Sequence, residues 1–152
     1  MALNEEVEAL RAIPLFQRIE ASKLRLLAFT SERVRFEPGD LVVTEGDIGD
    51  AAYIVLEGAA EVLVDTPQGP LKVADLGRND IIGEIAILID VPRTATVRTT
   101  EAMTALRISK ELFFRLVAEF PQMAVEIMRE LAQRLDKTTH DLREARAQLA
   151  AG

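Results

Sequence analysis

The side chains best placed to do chemistry lie in one short run, IGEIAILIDVPRTATV, residues 82–97. Gly83 follows the apolar pair Ile81 and Ile82, where a strand would end, and glycine can take backbone conformations closed to other residues. Glu84 to Leu88 can form one short helical turn after it, with free N–H groups pointing back toward the glycine. Free N–H groups and the helix dipole together attract an anion. Arg93 follows within a few residues, and a guanidinium can grip a phosphate through two charge-assisted hydrogen bonds. Ionised Glu84 accepts hydrogen bonds only, which suits a sugar hydroxyl. An acid for a ribose hydroxyl and an arginine for a phosphate, nine residues apart, describe a site for a nucleotide monophosphate. Taken alone, Glu84 and Arg93 read first as a surface ion pair at a strand turn, because such pairs are common and weak.

Those residues need a scaffold, and the glycine distribution suggests one. Of the 8 glycines, all but Gly152 fall between Gly39 and Gly83, separated by short apolar runs. The runs LVVT (41–44), AAYIVL (51–56), AEVLVD (60–65), LKVADL (71–76), TATVRTT (94–100) and AMTALRI (102–108) are β-branched or alternate apolar with polar. Val62 and Val64 share one face against Glu61, Leu63 and Asp65, and Ala95, Val97 and Thr99 oppose Thr94, Thr96, Arg98 and Thr100. That period of two marks strands buried on one face, and their close spacing indicates a small sandwich or barrel.

Both ends are helical in pattern. Leu3, Val7 and Leu10, then Leu24, Leu27 and Ala28, carry helical spacing over residues 3–12 and 21–31. Ser109 can cap a helix over KELFFRLVAEF, with Glu111 complementing the dipole in its first turn. Pro121 suits the first turn of another helix, and neither Pro nor Gly occurs from Gln122 to Ala151. In that last helix Met128, Leu131, Leu135, Thr138, Leu142, Ala145 and Leu149 are spaced alternately by three and four, the a and d positions of a coiled coil. Met123 and Ile127 should pack on the chain's own core. A helix of about 30 residues is about 45 Å long and outruns a domain of this size, so the seam beyond Leu135 predicts a parallel homodimer. Thr138 is the polar member of that seam, able to fix register.

Composition excludes much else. The 152 residues include no cysteine and a single histidine, His140. Thiolate metal sites, cysteine nucleophiles and histidine-rich metal sites are ruled out, including the several-histidine metal site of a cupin-like jelly roll. A net charge of −7 from 25 acidic and 18 basic residues argues against nucleic acid and anionic membrane as partners. No apolar run approaches the roughly 20 residues of a membrane span, and the acidic start MALNEEVEAL lacks the features of a signal peptide. A cytoplasmic binding module, and no enzyme, is the expectation.

The run at residues 82–97 resembles the phosphate-binding cassette of the cyclic nucleotide-binding domain family, F-G-E-x-A-L-x-x-x-x-P-R-[STA]-A-[ST]-V, with its eight-residue gap between Glu and Arg. FEPGDLVVTEGDIGDAAYIVLEGAAEVLV (36–64) is similar to that family's first strands with their paired glycine turns, and IPLFQRI (13–19) to its N-terminal helical segment. The resemblance implies a mainly β fold, an eight-stranded jelly-roll barrel with N-terminal helices and a long C-terminal helix. On this chain that means helices to about residue 32, the barrel over 33–108 and C-terminal helices over 109–151. It implies Arg93 on the cyclic phosphate, Glu84 on the ribose 2′-hydroxyl, and Gly83 with the N–H groups near Ile85 and Ala86 completing the cradle. Thr94 would add a hydroxyl to phosphate or purine. Val73, Leu76 and Ile85 would wall the base, or serve as ordinary barrel core.

LAQRLDKTTHDL (131–142) is similar to the helix with which the family's catabolite activators reach the purine, placing Thr138 and Thr139 there, with Arg134 capping the base. The local alternative is that these threonines are exposed or bond back to their own helix. Two departures stand out: Ile82 replaces the usual Phe, and the sequence ends at Gly152 where the activators continue into a DNA-binding module. The implied ligand is cAMP, on the strength of the two threonines, with cGMP close behind through Thr94 and a cyclic dinucleotide further away. No cofactor is expected, and a protein effector is a possible further partner. The competing reading is a member of the same fold that has lost its ligand and serves only for dimerisation or docking.

Overall fold

The structure is a computed structural model that describes residues 2–151, with the side chains of Ala2, Leu3, Ile85 and Ala151 outside the description. Eight strands form two four-stranded sheets. The first holds β1 (Glu32–Phe36), β8 (Met103–Ser109), β3 (Ala51–Glu57) and β6 (Ile81–Ile82), in that spatial order. The second holds β2 (Leu41–Val43), β7 (Thr96–Thr99), β4 (Ala60–Thr66) and β5 (Gly69–Leu76). All pairings are antiparallel, and the sequence neighbours β3 and β4 lie in different sheets, giving a jelly roll. The six apolar runs became β2, β3, β4, β5, β7 and β8. β1 escaped them because ERVRF is rich in charge, and it is defined by pairing with β8 from Glu32↔Arg107 to Phe36↔Met103.

Two apolar layers follow from the alternation. Val55, Ala60, Ile82, Val97, Met103 and Ala105 are buried between the sheets. Ile54, Leu106 and Ile108, on the opposite face of the first sheet, pack under the helices with Leu10, Phe16, Leu24, Phe113 and Ile127. The first sheet is thus covered on both sides, which is why AAYIVL is nearly continuous in apolar residues. The second sheet turns charge outward: Arg98 on β7 donates to Glu61 on β4 at 2.6 Å.

The helices lie where their local signals put them. They are α1 (Ala2–Arg11), α2 (Ala21–Thr30), α3 (Lys110–Glu119) and α4 (Pro121–Ala151), with a 3-10 turn at Pro14–Phe16. Ser109 caps α3, its side chain accepting from the Leu112 N–H at 3.1 Å. Met123 and Ile127 on α4 are buried, whereas every residue from Leu135 to Ala150 is exposed. Among the described residues no helix is long and apolar enough to cross a membrane.

Candidate functional site

β6 pairs with β3 through Tyr53↔Ile82 and Ile54↔Ile81, and this delivers the chain to Gly83 beside the start of β3. Gly83 has φ +74°, the left-handed region that costs other residues energy. A 3-10 turn follows at Glu84–Ile87, with Ala86 and Ile87 buried so that the turn is pinned to the core. The N–H of Ala86 donates to the Gly83 carbonyl at 3.0 Å, so this N–H closes the turn and does not point free toward a ligand. The side chain of Ile85, expected against the base, lies outside the described residues.

Arg93 is held by a segment far from it in sequence. Its N–H donates to the Asp47 carbonyl at 2.7 Å, and its carbonyl accepts from the Gly46 N–H at 2.9 Å. Ile48 and Pro92 form an antiparallel bridge beside these bonds. The side chain then runs between two glycines. A Cβ on Gly49 would stand 2.7 Å from Arg93 Cζ, and one on Gly83 would stand 1.8 Å from Arg93 Nη1. Arg93 Nη2 donates to the Ala51 carbonyl at 2.7 Å. Nη1 is buried and has no hydrogen-bond partner. Burial lowers the guanidinium's pKa from its ordinary value, while Tyr53 and Asp50 act in the opposite sense. An arginine keeps its charge under such shifts. A buried charged donor without a partner is costly, and an anion would supply the acceptor.

Above this guanidinium opens a cavity of about 210 Å³, walled by Val43, Val62, Leu76, Ile82 and Val97, with Gly83, Arg93 and Thr94 at its polar side. Leu76 lines this cavity. Val73 does not. Register steps from Val62↔Ala74 to Leu63↔Lys72, leaving Val73 as the extra residue of a bulge, and the residue is 53% exposed.

Glu84 does not pair with Arg93. Arg134 Nη1, from α4, donates to Glu84 Oε1 at 2.6 Å, with the carboxylate largely shielded from solvent. Arg134, read from sequence as a cap on the base, is in this structure the partner of Glu84. Thr138 and Thr139 lie exposed one turn further along α4, and the Thr138 hydroxyl donates to the Arg134 carbonyl at 2.9 Å. Such a bond ties a mid-helix threonine back to its own turn. Gly49 and the Ala51 carbonyl were not singled out from sequence as members of the site. The one signal for them was the pair of glycine turns at Gly46 and Gly49.

Among the described residues no group of three or more His, Cys, Asp or Glu is gathered as a metal site would need. The site combines an apolar cavity bearing Arg93 and Thr94 with the neighbouring Glu84–Arg134 pair.

The model of the cyclic nucleotide-binding domain matches residues 33–120, from β1 to the end of α3. A CRP-like cAMP-activated global transcriptional regulator of Mycobacterium tuberculosis is 29% identical over 136 residues, covering 89% of this chain and 61% of that protein. A cAMP-dependent protein kinase regulatory subunit of Dictyostelium discoideum is 34% identical over 137 residues, covering 88% of this chain and 40% of the relative. The chain thus spans less than two thirds of these relatives. Among solved structures, the N-terminal domain of a transcriptional regulator from Streptomyces coelicolor A3(2) superposes with a TM-score of 0.82 at 30% identity, covering 86% of this chain and 94% of that one.

Proposed function

The chain belongs to the cyclic nucleotide-binding domain family, and we propose that it binds a cyclic mononucleotide, cAMP ahead of cGMP, and passes occupancy of the site to α4 and a homodimer seam. The observation that carries the reading is the Arg93 guanidinium, buried with Nη1 unpartnered beneath the apolar cavity. A cyclic phosphate would supply that donor with an acceptor of opposite charge, and a purine would suit the apolar walls. Glu84 sits one residue from Gly83 and would receive the ribose hydroxyl, so that ligand and Arg134 would share one carboxylate. The preference for cAMP is supported by the two relatives above, a cAMP-activated regulator and a regulatory subunit of a cAMP-dependent kinase, and by the threonine pair on α4. Binding without turnover is part of this reading. Among the described residues the cavity is lined by apolar side chains, Gly83, Arg93 and Thr94, a set suited to binding. The proposal places the protein in the cytoplasm, with a protein effector as a further partner.

The experiment is calorimetric titration of the purified chain with cAMP and with cGMP. Arg93→Ala should weaken binding about 10- to 150-fold, the equivalent of the roughly 1.5–3 kcal/mol of a charge-assisted contact. Equal affinity in the wild type and the variant would show the phosphate to be bound elsewhere. Binding of neither nucleotide would favour the dimerisation or docking module instead.

A further inference from the structure

Glu130 lies on α4 with only 7% of its surface exposed, an expensive place for a carboxylate unless it is paired. Its partners come from the chain that follows the 3-10 turn at Pro14–Phe16. Gln17 Nε2 donates to Glu130 Oε2 at 3.1 Å and Arg18 Nε to the same oxygen at 3.3 Å. Arg18 Nη2 continues to Gln133 Oε1 at 2.5 Å. The next residue, Arg134, is the one that reaches Glu84. Positions 130, 133 and 134 occupy a single turn of helix. That turn is held by the N-terminal segment and by the cassette together. It is also the last anchored part of α4, since Ile127 before it is buried and Leu135 after it is exposed.

We infer that the clasp of Gln17, Arg18, Glu130 and Gln133 sets the position of α4 from which Arg134 reaches Glu84, so that the N-terminal segment and the nucleotide-side carboxylate are energetically coupled through one helical turn. A long arginine side chain loses rotamer freedom when it is fixed on a carboxylate, and the loss is least when its backbone is already in place. Arg18 and Glu130 are positioning residues: they touch neither Glu84 nor the cavity walls, and they act through the placement of Arg134. The consequence for ligand affinity rests on the function proposed above; the coupling itself does not.

The test is a double-mutant cycle on the full chain without ligand, read by urea unfolding, with Arg18→Ala, Glu84→Ala and the pair. Arg18 is partly exposed, so its truncation leaves the core intact. With the clasp positioning Arg134, Arg18→Ala loses part of its effect once Glu84 can no longer hold the arginine, and the unfolding constants show a coupling of about threefold or more. Additive effects, within about twofold, would overturn the inference whatever the ligand proves to be. A cAMP titration of Arg18→Ala forms the second arm. A fall of about three- to tenfold in affinity carries the coupling to the site, and unchanged affinity beside a wild type that binds would confine it to stability and overturn its link to the site. A wild type that binds no cyclic nucleotide refutes the proposed function alone, and the urea cycle still decides the clasp.

Discussion

Gly83 and Arg93 constrain each other more tightly than either motif position suggests alone. The guanidinium passes so close to the glycine that an added Cβ would lie 1.8 Å from Nη1, and the backbone there has φ +74°. Gly83→Ala should therefore displace the guanidinium and strain the turn at once. The expected outcome is a loss of cyclic-nucleotide affinity comparable to that of Arg93→Ala, about tenfold or more, with an unchanged far-ultraviolet circular dichroism spectrum. Calorimetry of Gly83→Ala checks it, and full affinity would mean that the arginine is not the phosphate's partner. At this scale Gly83, Glu84 and Arg93 were legible in the sequence because they fall in one contiguous run. What Arg93 and Glu84 touch was not legible. The Ala51 carbonyl is 42 residues from Arg93, and Arg134 is 50 residues from Glu84. Only the closed barrel and the docked helix bring those groups together. The ion pair that spacing alone suggested, Glu84 with Arg93, gives way to Glu84 with Arg134 for that reason.

Elements were legible where their signals are local. Ser109 capping α3, Pro121 opening α4 and the alternation of β7 depend on neighbours within a few residues. β1 and the bulge that turns Val73 outward depend on strand register, which the alternating pattern of LKVADL does not reveal. The helix α4 carries a prediction of its own. Met128, Leu135, Leu142 and Leu149 recur every seventh residue and are between 54% and 81% exposed, the apolar face of the proposed homodimer. Leu142→Glu should convert the dimer to a monomer in sedimentation velocity at tens of micromolar, while the barrel keeps its melting temperature within a few degrees. A wild type already monomeric at that concentration would refute the seam. A second prediction concerns the link between α1 and β1. Glu6 on α1 is buried, its Oε1 3.1 Å from Arg33 Nε on β1. Burial raises its pKa from the ordinary value of 4.5, Arg33 lowers it and Glu5 raises it. The native state therefore holds this proton more tightly than the unfolded chain does. The stabilisation is full below the unfolded pKa and is lost as pH rises through the folded one. Melting curves from about pH 4 to pH 7 should show the wild type losing stability relative to Glu6→Gln as pH rises. A constant difference would show that Glu6 does not titrate differently in the folded state.

The molecule as a whole carries a net charge of −7, while the proposed ligand is an anion. The long-range field opposes the approach of that ligand, and the attraction at the site is confined to Arg93 and the dipoles beside it. The two contributions respond differently to salt. The Debye length shrinks from about 30 Å at 0.01 M to about 8 Å at 0.15 M, which screens the distant acidic surface but hardly touches a contact made inside a cavity. Stopped-flow association of a fluorescent cyclic nucleotide should therefore accelerate or hold steady over that range of sodium chloride, and the dissociation rate should change little. An association rate that falls severalfold with salt would require a positive surface that steers the ligand in, and would overturn the account of a purely local attraction. In the proposed function, affinity would depend on the burial that leaves Nη1 of Arg93 without a partner. Net charge would set how often the ligand arrives, and the jelly roll, by bringing Gly49, Ala51 and Gly83 around one guanidinium, would set how long it stays.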